Sequence, residues 1–277
     1  SVVVIDTTPP PKPIISDMDS MSNKTELKFS WVCNSSDLKE FLYRINRGSW
    51  IRIDKSLTSV TLKSIQGQNR FEIKAIDSVG NESDIAEYIV VSDFKPPNPP
   101  SLVKIESPTN SPRLFFSWLS EEVTGFRYRV TTWKDSNDTK TVGNWINLSK
   151  IRRSVSLVGV DGFYRFELYS YDEFNNNSDV SSQTILVDYS PPQSPELDEI
   201  DLIANSSSGQ IKIRYSVNID SDSTGARYRH NNSGWTEYDV NSNPDLEVML
   251  NEGDNIIEIY SYDSVGNESD IRKQHKF

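Results

Sequence analysis

The chain is poor in the residues that disulfides, metal centres and most catalytic sites require. Its 277 residues include one cysteine and two histidines, so no intramolecular disulfide can form. Neither histidine has a serine or aspartate at a recognisable catalytic spacing, and no glycine-rich phosphate loop leads into a helix. No apolar run approaches the roughly 20 residues of a membrane-spanning helix. We therefore expect a non-enzymatic protein without cofactor or bound metal, whose domains are held together by packing alone.

Positive charge is also in short supply. Basic residues number 29 against 40 acidic ones, which gives a formal net charge of −11. A strongly acidic protein is repelled by nucleic acid phosphates and by anionic lipid. We expect neither to be a partner, although a local basic patch occurs at Lys150-Ile151-Arg152-Arg153.

The chain is rich in internal repetition. The phrase Asp-x-x-Gly/Asn-Asn-x-Ser-Asp occurs three times, beginning at Asp77, Asp172 and Asp263, with intervals of 95 and 91 residues. Each copy is preceded, at similar spacing, by a Pro-Pro pair, an aromatic residue and a Tyr-Arg pair. The aromatic residues are Trp31, Trp118 and Tyr215, and the pairs are Tyr43-Arg44, Tyr128-Arg129 and Tyr228-Arg229. This regularity predicts three modules of about 90 residues each.

The joins between repeats set the predicted domain boundaries. An aspartate stands three residues before each proline pair, at Asp6, Asp93 and Asp188. We assign residues 7–93 to module 1, 94–188 to module 2 and 189–277 to module 3, with residues 1–6 as the tail of a preceding module or linker. Proline keeps such joins extended, so we expect an elongated array.

Module 2 differs from the others by an insertion. The interval from its Tyr-Arg pair to Trp145, the tryptophan that corresponds to Trp50 and Trp235, is ten residues longer than in the sister modules. The extra residues lie near 131–143 and are predicted to form a polar loop or a lengthened hairpin.

Alternating apolar and polar residues dominate every module, while helical periodicity is nowhere sustained. About seven such runs per module, separated by Gly, Asn, Asp and Ser, predict strands. The fold class is therefore all-β: three tandem seven-stranded antiparallel β-sandwiches. Trp31 and Trp118 should lie inside on the second strand, with Tyr215 as a smaller substitute.

The recurring phrase is predicted to form the turn between the last two strands. Its fourth position is Gly80, Asn175 or Gly266, and glycine and asparagine adopt positive φ most readily. The aspartate that opens the phrase can accept hydrogen bonds from the turn amides. We therefore interpret the phrase as a structural turn.

A calcium site is the alternative interpretation of this phrase. Four oxygen-bearing side chains fall within eight residues in module 1, namely Asp77, Asn81, Glu82 and Asp84. Module 2 replaces Glu82 with Asn177, which disfavours a repeated metal site.

These motifs resemble fibronectin type III and related bacterial immunoglobulin-like modules of cell-surface proteins. The resemblance rests on the second-strand tryptophan and on the Ala-x-Asp-x-x-Gly-Asn-x-Ser type of turn, and it covers all three modules. It implies that the third and penultimate strands pair, which puts an arginine opposite a glutamate in each module. These pairs are Arg44 with Glu72, Arg129 with Glu167 and Arg229 with Glu258. The corner tyrosine of the family appears only as Tyr164, with Asn69 and Asn255 at the corresponding places.

The resemblance implies function only broadly, because such modules serve as spacers, adhesins, receptors and enzyme appendages. We expect a monomeric segment of a longer bacterial envelope or secreted protein, located extracellularly, at the cell surface or in the periplasm. The favoured function is adhesin-like contact with a host or extracellular-matrix protein such as fibronectin, or with a glycan. The alternatives are a spacer that positions another domain and an accessory module of a secreted carbohydrate-active enzyme.

Candidate contact residues lie where the modules differ. Trp133 stands in the polar insertion without a counterpart in the sister modules, and Lys134 follows it. Arg152 and Arg153 supply the local basic patch of the same module. These four residues are the predicted partner-contact site. Packing of Trp133 onto its own module and ordinary solvated charge at the basic residues are the alternatives.

Overall fold

The computed structural model describes residues 5–135, 137–205, 210–239 and 245–276. They form three tandem β-sandwiches, each with a three-stranded sheet facing a larger one. In these residues no helix is long and apolar enough to span a membrane. Residues 1–4 of the predicted N-terminal tail lie outside the described residues, so that tail stays a prediction.

Module 1 has one strand more than predicted. Its strands are β1 (Ile14–Ile15), β2 (Met21–Ser22), β3 (Glu26–Val32), β4 (Leu38–Ile45), β5 (Ile51–Asp54), β6 (Ser59–Lys63), β7 (Gly67–Asp77) and β8 (Ala86–Ser92). One sheet has the order β1-β3-β6 and the other β2-β8-β7-β4-β5. The extra strand, β2, pairs in parallel with β8 through two residues, too few to leave a periodic signal in the sequence.

Module 2 repeats this plan. Its strands are β9 (Ser101–Leu102), β10 (Arg113–Leu119), β11 (Gly125–Trp133), β12 (Thr141–Val142), β13 (Ile146–Ser149), β14 (Ser154–Val158), β15 (Gly162–Tyr171) and β16 (Ser181–Val187). The three-stranded sheet has the order β14-β10-β9. The larger sheet has the order β12-β11-β15-β16, and β13 also pairs with β11.

Module 3 has seven described strands. They are β17 (Glu196–Asn205), β18 (Gln210–Asn218), β19 (Gly225–His230), β20 (Thr236–Tyr238), β21 (Asp245–Leu250), β22 (Asn255–Tyr262) and β23 (Arg272–Lys276). The sheets have the orders β17-β18-β21 and β20-β19-β22-β23. His230 is half-buried at the end of β19, and its Nε2 lies 2.8 Å from Asn255 Oδ1.

Each sandwich has its own aromatic core, because alternate residues of the second strand point inward. Trp31, Trp118 and Tyr215 are at most 2% exposed, as the sequence predicts. In module 2, Phe116 stacks on Phe166 with ring centroids 4.3 Å apart. Among the described residues the Tyr215 hydroxyl has no hydrogen-bond partner, and burial raises its pKa to about 12. The ring of Tyr215 therefore supplies the packing in this core, and its hydroxyl supplies no hydrogen bond to the described residues.

The sandwiches bury little surface against one another. The chain exposes 16910 Å². A compact globule of 31.5 kDa would expose about 12,000 Å², whereas three separate modules of a third of that mass would expose about 16,000 Å² in total. The exposed area thus matches three modules that each close their own core.

The missing corner tyrosines are replaced by a different hydrogen-bonding group. Tyr164 Oη accepts from the amide of Val160 at 2.7 Å and donates to its carbonyl at 3.0 Å. Asn69 makes the same pair of bonds with Ile65, both at 2.8 Å, and Asn255 does so in module 3. A carboxamide can donate and accept at once, so it closes the same four-residue turn.

Candidate functional site

The outer faces of the larger sheets carry the predicted arginine-glutamate pairs. Arg44, Arg129 and Arg229 each bond a glutamate on the neighbouring strand at 2.5 to 2.8 Å. These glutamate side chains, Glu72, Glu167 and Glu258, are only 4%, 10% and 2% exposed. The arginine bond holds the pKa of each carboxyl below its ordinary value despite the burial.

A tryptophan covers each of these arginines. The guanidinium carbons lie 4.4, 4.6 and 4.6 Å from the ring centroids, in the pairs Arg44 with Trp50, Arg129 with Trp145 and Arg229 with Trp235. Because this arrangement is the same in three modules, we interpret the tryptophans on this face as structural residues that pack on the arginines.

The insertion in module 2 extends the same face. It forms a lengthened hairpin, in which β12 pairs with Thr131 and Thr132 of β11. Trp133 stacks on Phe163 at 5.3 Å and 6°, and the Lys140 ammonium lies 4.8 Å from the Trp133 ring centroid. A cleft of about 330 Å³ opens beside these residues, at the small end of the range for ligand pockets.

The four predicted contact residues do not form one site. Trp133 ends β11, whereas the Arg153 guanidinium lies 5.1 Å from the ring of Phe126 near the start of that strand. Seven residues of extended strand separate the two positions by about 24 Å. Arg153 also donates to the carbonyl of Arg152 at 3.0 Å, which holds it against its own module. Lys134 and Arg152 are exposed.

The recurring turn is also a clamp on the preceding join, which the sequence did not reveal. Asp77 Oδ1 accepts from the amides of Val79, Gly80 and Asn81, and Oδ2 accepts from the Asn81 side chain at 2.7 Å. The same Asn81 amide donates to the carbonyl of Asp6 at 3.1 Å. The equivalent donations run from Asn176 to Asp93 at 2.8 Å and from Asn267 to Asp188 at 2.9 Å.

Positive φ at Gly80, Asn175 and Gly266 confirms the predicted turn conformation. Burial raises the pKa of Asp77, but the hydrogen bonds from Asn81 and the turn amides outweigh it, so that its pKa lies below the ordinary value. The buried carboxylate therefore stays charged and keeps the turn closed.

The oxygen ligands of the alternative calcium site are arranged differently from the sequence-based proposal. Glu82 pairs with Lys74 at 2.5 Å, away from Asp77. Asp77 instead lies near Asp6 and Asp37, with one oxygen from each within 4.8 Å of the others. Before module 3, burial and the nearby Asp263, Asp222 and Asp161 raise the pKa of Asp188. Acidic side chains thus lie close to the joins that precede modules 1 and 3.

The strand order defines the fold class: an all-β tandem array of three antiparallel β-sandwiches, which resembles the fibronectin type III architecture. No protein-family model and no curated protein matches the chain. Among solved structures, the FN1–FN3 domains of chicken CNTN1 are 13% identical, with a TM-score of 0.35 over 97% of both chains. The fibronectin(III)-like modules of CbhA from Clostridium thermocellum are 13% identical, with a TM-score of 0.39 over 60% of this chain and 87% of that one. Similarity this low says nothing about the ligand.

Proposed function

We propose that this chain is a non-enzymatic, adhesin-like binding segment of an extracellular or cell-surface protein, and that module 2 contacts a matrix protein or a glycan. The observation that carries the proposal is the hairpin of the insertion. It lengthens one sheet of module 2 only and places Trp133 against Phe163 of β15 on the outer face. An aromatic pair that no sister module has is not required by the shared fold.

The test is binding of the intact chain to immobilised matrix proteins and to a glycan array. We expect Trp133→Ala to weaken binding about tenfold or more, as loss of an aromatic contact residue does. The matched control is Trp50→Ala, which removes a half-buried tryptophan from module 1. Equal binding by the two variants would remove the Trp133 hairpin from the proposal.

A spacer or stalk is the second candidate, including a stalk within a carbohydrate-active enzyme. The repeated asparagine clamp favours it, since a side chain that fixes each join serves the placing of modules. The two candidates separate cleanly in the same assay. A spacer binds no ligand in this assay. Replacing this chain with a longer or shorter array would instead change the reach of the neighbouring domain.

A further inference from the structure

The outer face of the three-stranded sheet in module 2 carries an exposed apolar stripe. Its members are Val103, Phe115, Leu119 and Val158, which are 50%, 59%, 72% and 80% exposed. Arg113 pairs with Val158 and Phe115 with Ser156, which makes Phe115 and Val158 diagonal neighbours. Val103 donates its amide to Ser117, between Phe115 and Leu119. The register therefore joins the four side chains into one continuous surface, here called the Phe115 stripe.

Positive charge borders this stripe at both ends. Arg113 is exposed at the Val158 end, and Lys150 and Arg152 are exposed in the turn that precedes β14, at the Leu119 end. Neither β9, β10, β14 nor residues 150–153 contain an aspartate or glutamate. Among the described residues and within the strand bounds, this sheet alone combines exposed apolar residues with cations and no carboxylate, whereas Glu106, Glu121 and Glu122 lie in the adjoining loops.

The sister modules show that the fold does not require this surface. Phe115 lies three residues before the core tryptophan, where module 1 has Lys28 and module 3 has Lys212. Lys212 pairs with Glu247 across the sheet at 2.8 Å. The strands of that sheet in module 3, β17 and β21, carry six carboxylates within their bounds. A large aromatic residue in an exposed strand position is thus particular to module 2.

Module 2 also differs in overall charge. Residues 94–188 contain 11 basic and 11 acidic residues, whereas residues 189–277 contain 7 and 16. Most of the net charge of −11 therefore belongs to module 3. Charges more than about 8 Å away are largely screened at physiological salt. An acidic partner can approach module 2 without meeting the field of module 3 in full.

We propose that the Phe115 stripe docks an acidic protein partner that places apolar side chains between its carboxylates. The inference rests on the proposed binding function and names the chemistry of the partner. The cations complement acidic groups on that partner, and the stripe buries its apolar residues. A sulfated glycan would use the cations but would leave Phe115, Leu119 and Val158 without apolar contacts.

The experiment compares two fluorescent probes on the intact chain at about 0.15 M salt. One is a short synthetic peptide that alternates glutamate with leucine around a central phenylalanine, and the other is a heparin oligosaccharide of similar charge. We expect the peptide to bind and Phe115→Lys to weaken it about tenfold or more. Arg152→Glu should weaken it as well. Val32→Lys, which changes the 53% exposed residue at the place of Leu119 in module 1, should leave binding unchanged.

Three outcomes would overturn the proposal: no peptide binding, peptide binding that Phe115→Lys does not alter, or heparin binding without peptide binding. Unchanged circular dichroism and melting temperature must show that Phe115→Lys is folded. Phe115→Ala provides a second variant that adds no charge. If the chain binds matrix proteins equally with and without Phe115, the proposed function survives and this surface is not its site.

Discussion

Each module turns two sheet faces toward solvent. One repeats a common motif in every module, with an added hairpin in module 2, and the other changes from module to module. The larger sheet carries an arginine, a buried glutamate and a covering tryptophan in all three modules. The three-stranded sheet carries Lys28 in module 1, the Phe115 stripe in module 2 and the Lys212–Glu247 ion pair in module 3. What recurs holds the sandwich together, and what varies is free to meet a partner.

The largest expected difference between a buried residue and a residue on the variable face is found at two neighbouring positions of β10. Phe116 is fully buried against Phe166, so Phe116→Ala should cost about 3–5 kcal/mol of the free energy of unfolding. Phe115 points to solvent, so Phe115→Ala should change it by no more than about 0.5 kcal/mol. Hydrogen exchange with mass spectrometry resolves the two effects within module 2. A similar cost for both would show that the stripe belongs to the core.

The recurring ion pair offers the next largest effect. Glu258 bonds both Arg229 and Lys273 and is 2% exposed, so Glu258→Gln should destabilise module 3 by about 1.5–3 kcal/mol at neutral pH. Glu247→Gln, at an exposed pair of the other sheet, is the matched control and should have little effect.

The same pairs set a pH dependence. Because the folded pKa of Glu72, Glu167 and Glu258 is depressed, their contribution is complete above the ordinary value of 4.5 and is lost as pH falls through the folded values. Below about pH 4.5, all three modules should therefore unfold at progressively lower temperature. In the Glu258→Gln variant, the unfolding temperature of module 3 should fall less steeply with pH. An unchanged slope in that variant would contradict the assignment.

The joint clamp should affect geometry more than stability. Asn176→Ala removes the donor to the Asp93 carbonyl, so the distribution of distances between spin labels on modules 1 and 2 should widen. Its cost in unfolding free energy should stay near about 1 kcal/mol. Asn177→Ala, at an exposed neighbour in the same turn, is the control. Equal widening in both variants would mean that the clamp does not hold the joint.

The smallest effect concerns Tyr215. Its buried hydroxyl lacks a partner, so Tyr215→Phe should be neutral or should stabilise module 3 by up to about 1 kcal/mol. Since the folded pKa is raised to about 12, the tyrosine also costs stability as pH rises above its ordinary value of 10.0. Phe at this position should remove that alkaline loss, which chemical denaturation at high pH can measure. A destabilised variant would indicate that the hydroxyl is satisfied.

Features that depend on local spacing could be predicted from the sequence. The burial of Trp31 and Trp118 follows from alternation, and the Arg129–Glu167 pair follows from the strand pairing that the family resemblance implies. The turn at Gly80 follows from the need for positive φ. The tryptophan and glycine patterns each lie within one strand or turn, and the ion pair needs in addition only the strand pairing that the resemblance implies.

Features that depend on register or on distant contacts could not be predicted. The Asn176 donor and the Asp93 carbonyl are 83 residues apart, and nothing in either residue type indicates the bond. Trp133 and Arg153 belong to one module in sequence, yet lie near opposite ends of a strand. The sister modules indicate that Phe115 is exposed, because lysine occupies its place in both of them. Within module 2 alone, the adjacent Phe115 and Phe116 do not show which of the two faces inward.

The asparagine clamp also determines how the array would respond to tension. The bond from Asn176 to Asp93 closes a short stretch of chain ahead of the first strand of module 2. A pulling force along the chain therefore loads this bond, together with the bonds that Glu121 and Ser170 make to Asn98 in the same stretch, before it shears any sheet. We expect each joint to yield first and to lengthen by the slack between Asp93 and Ser101, so that the array stretches in small reversible steps while its sandwiches stay folded.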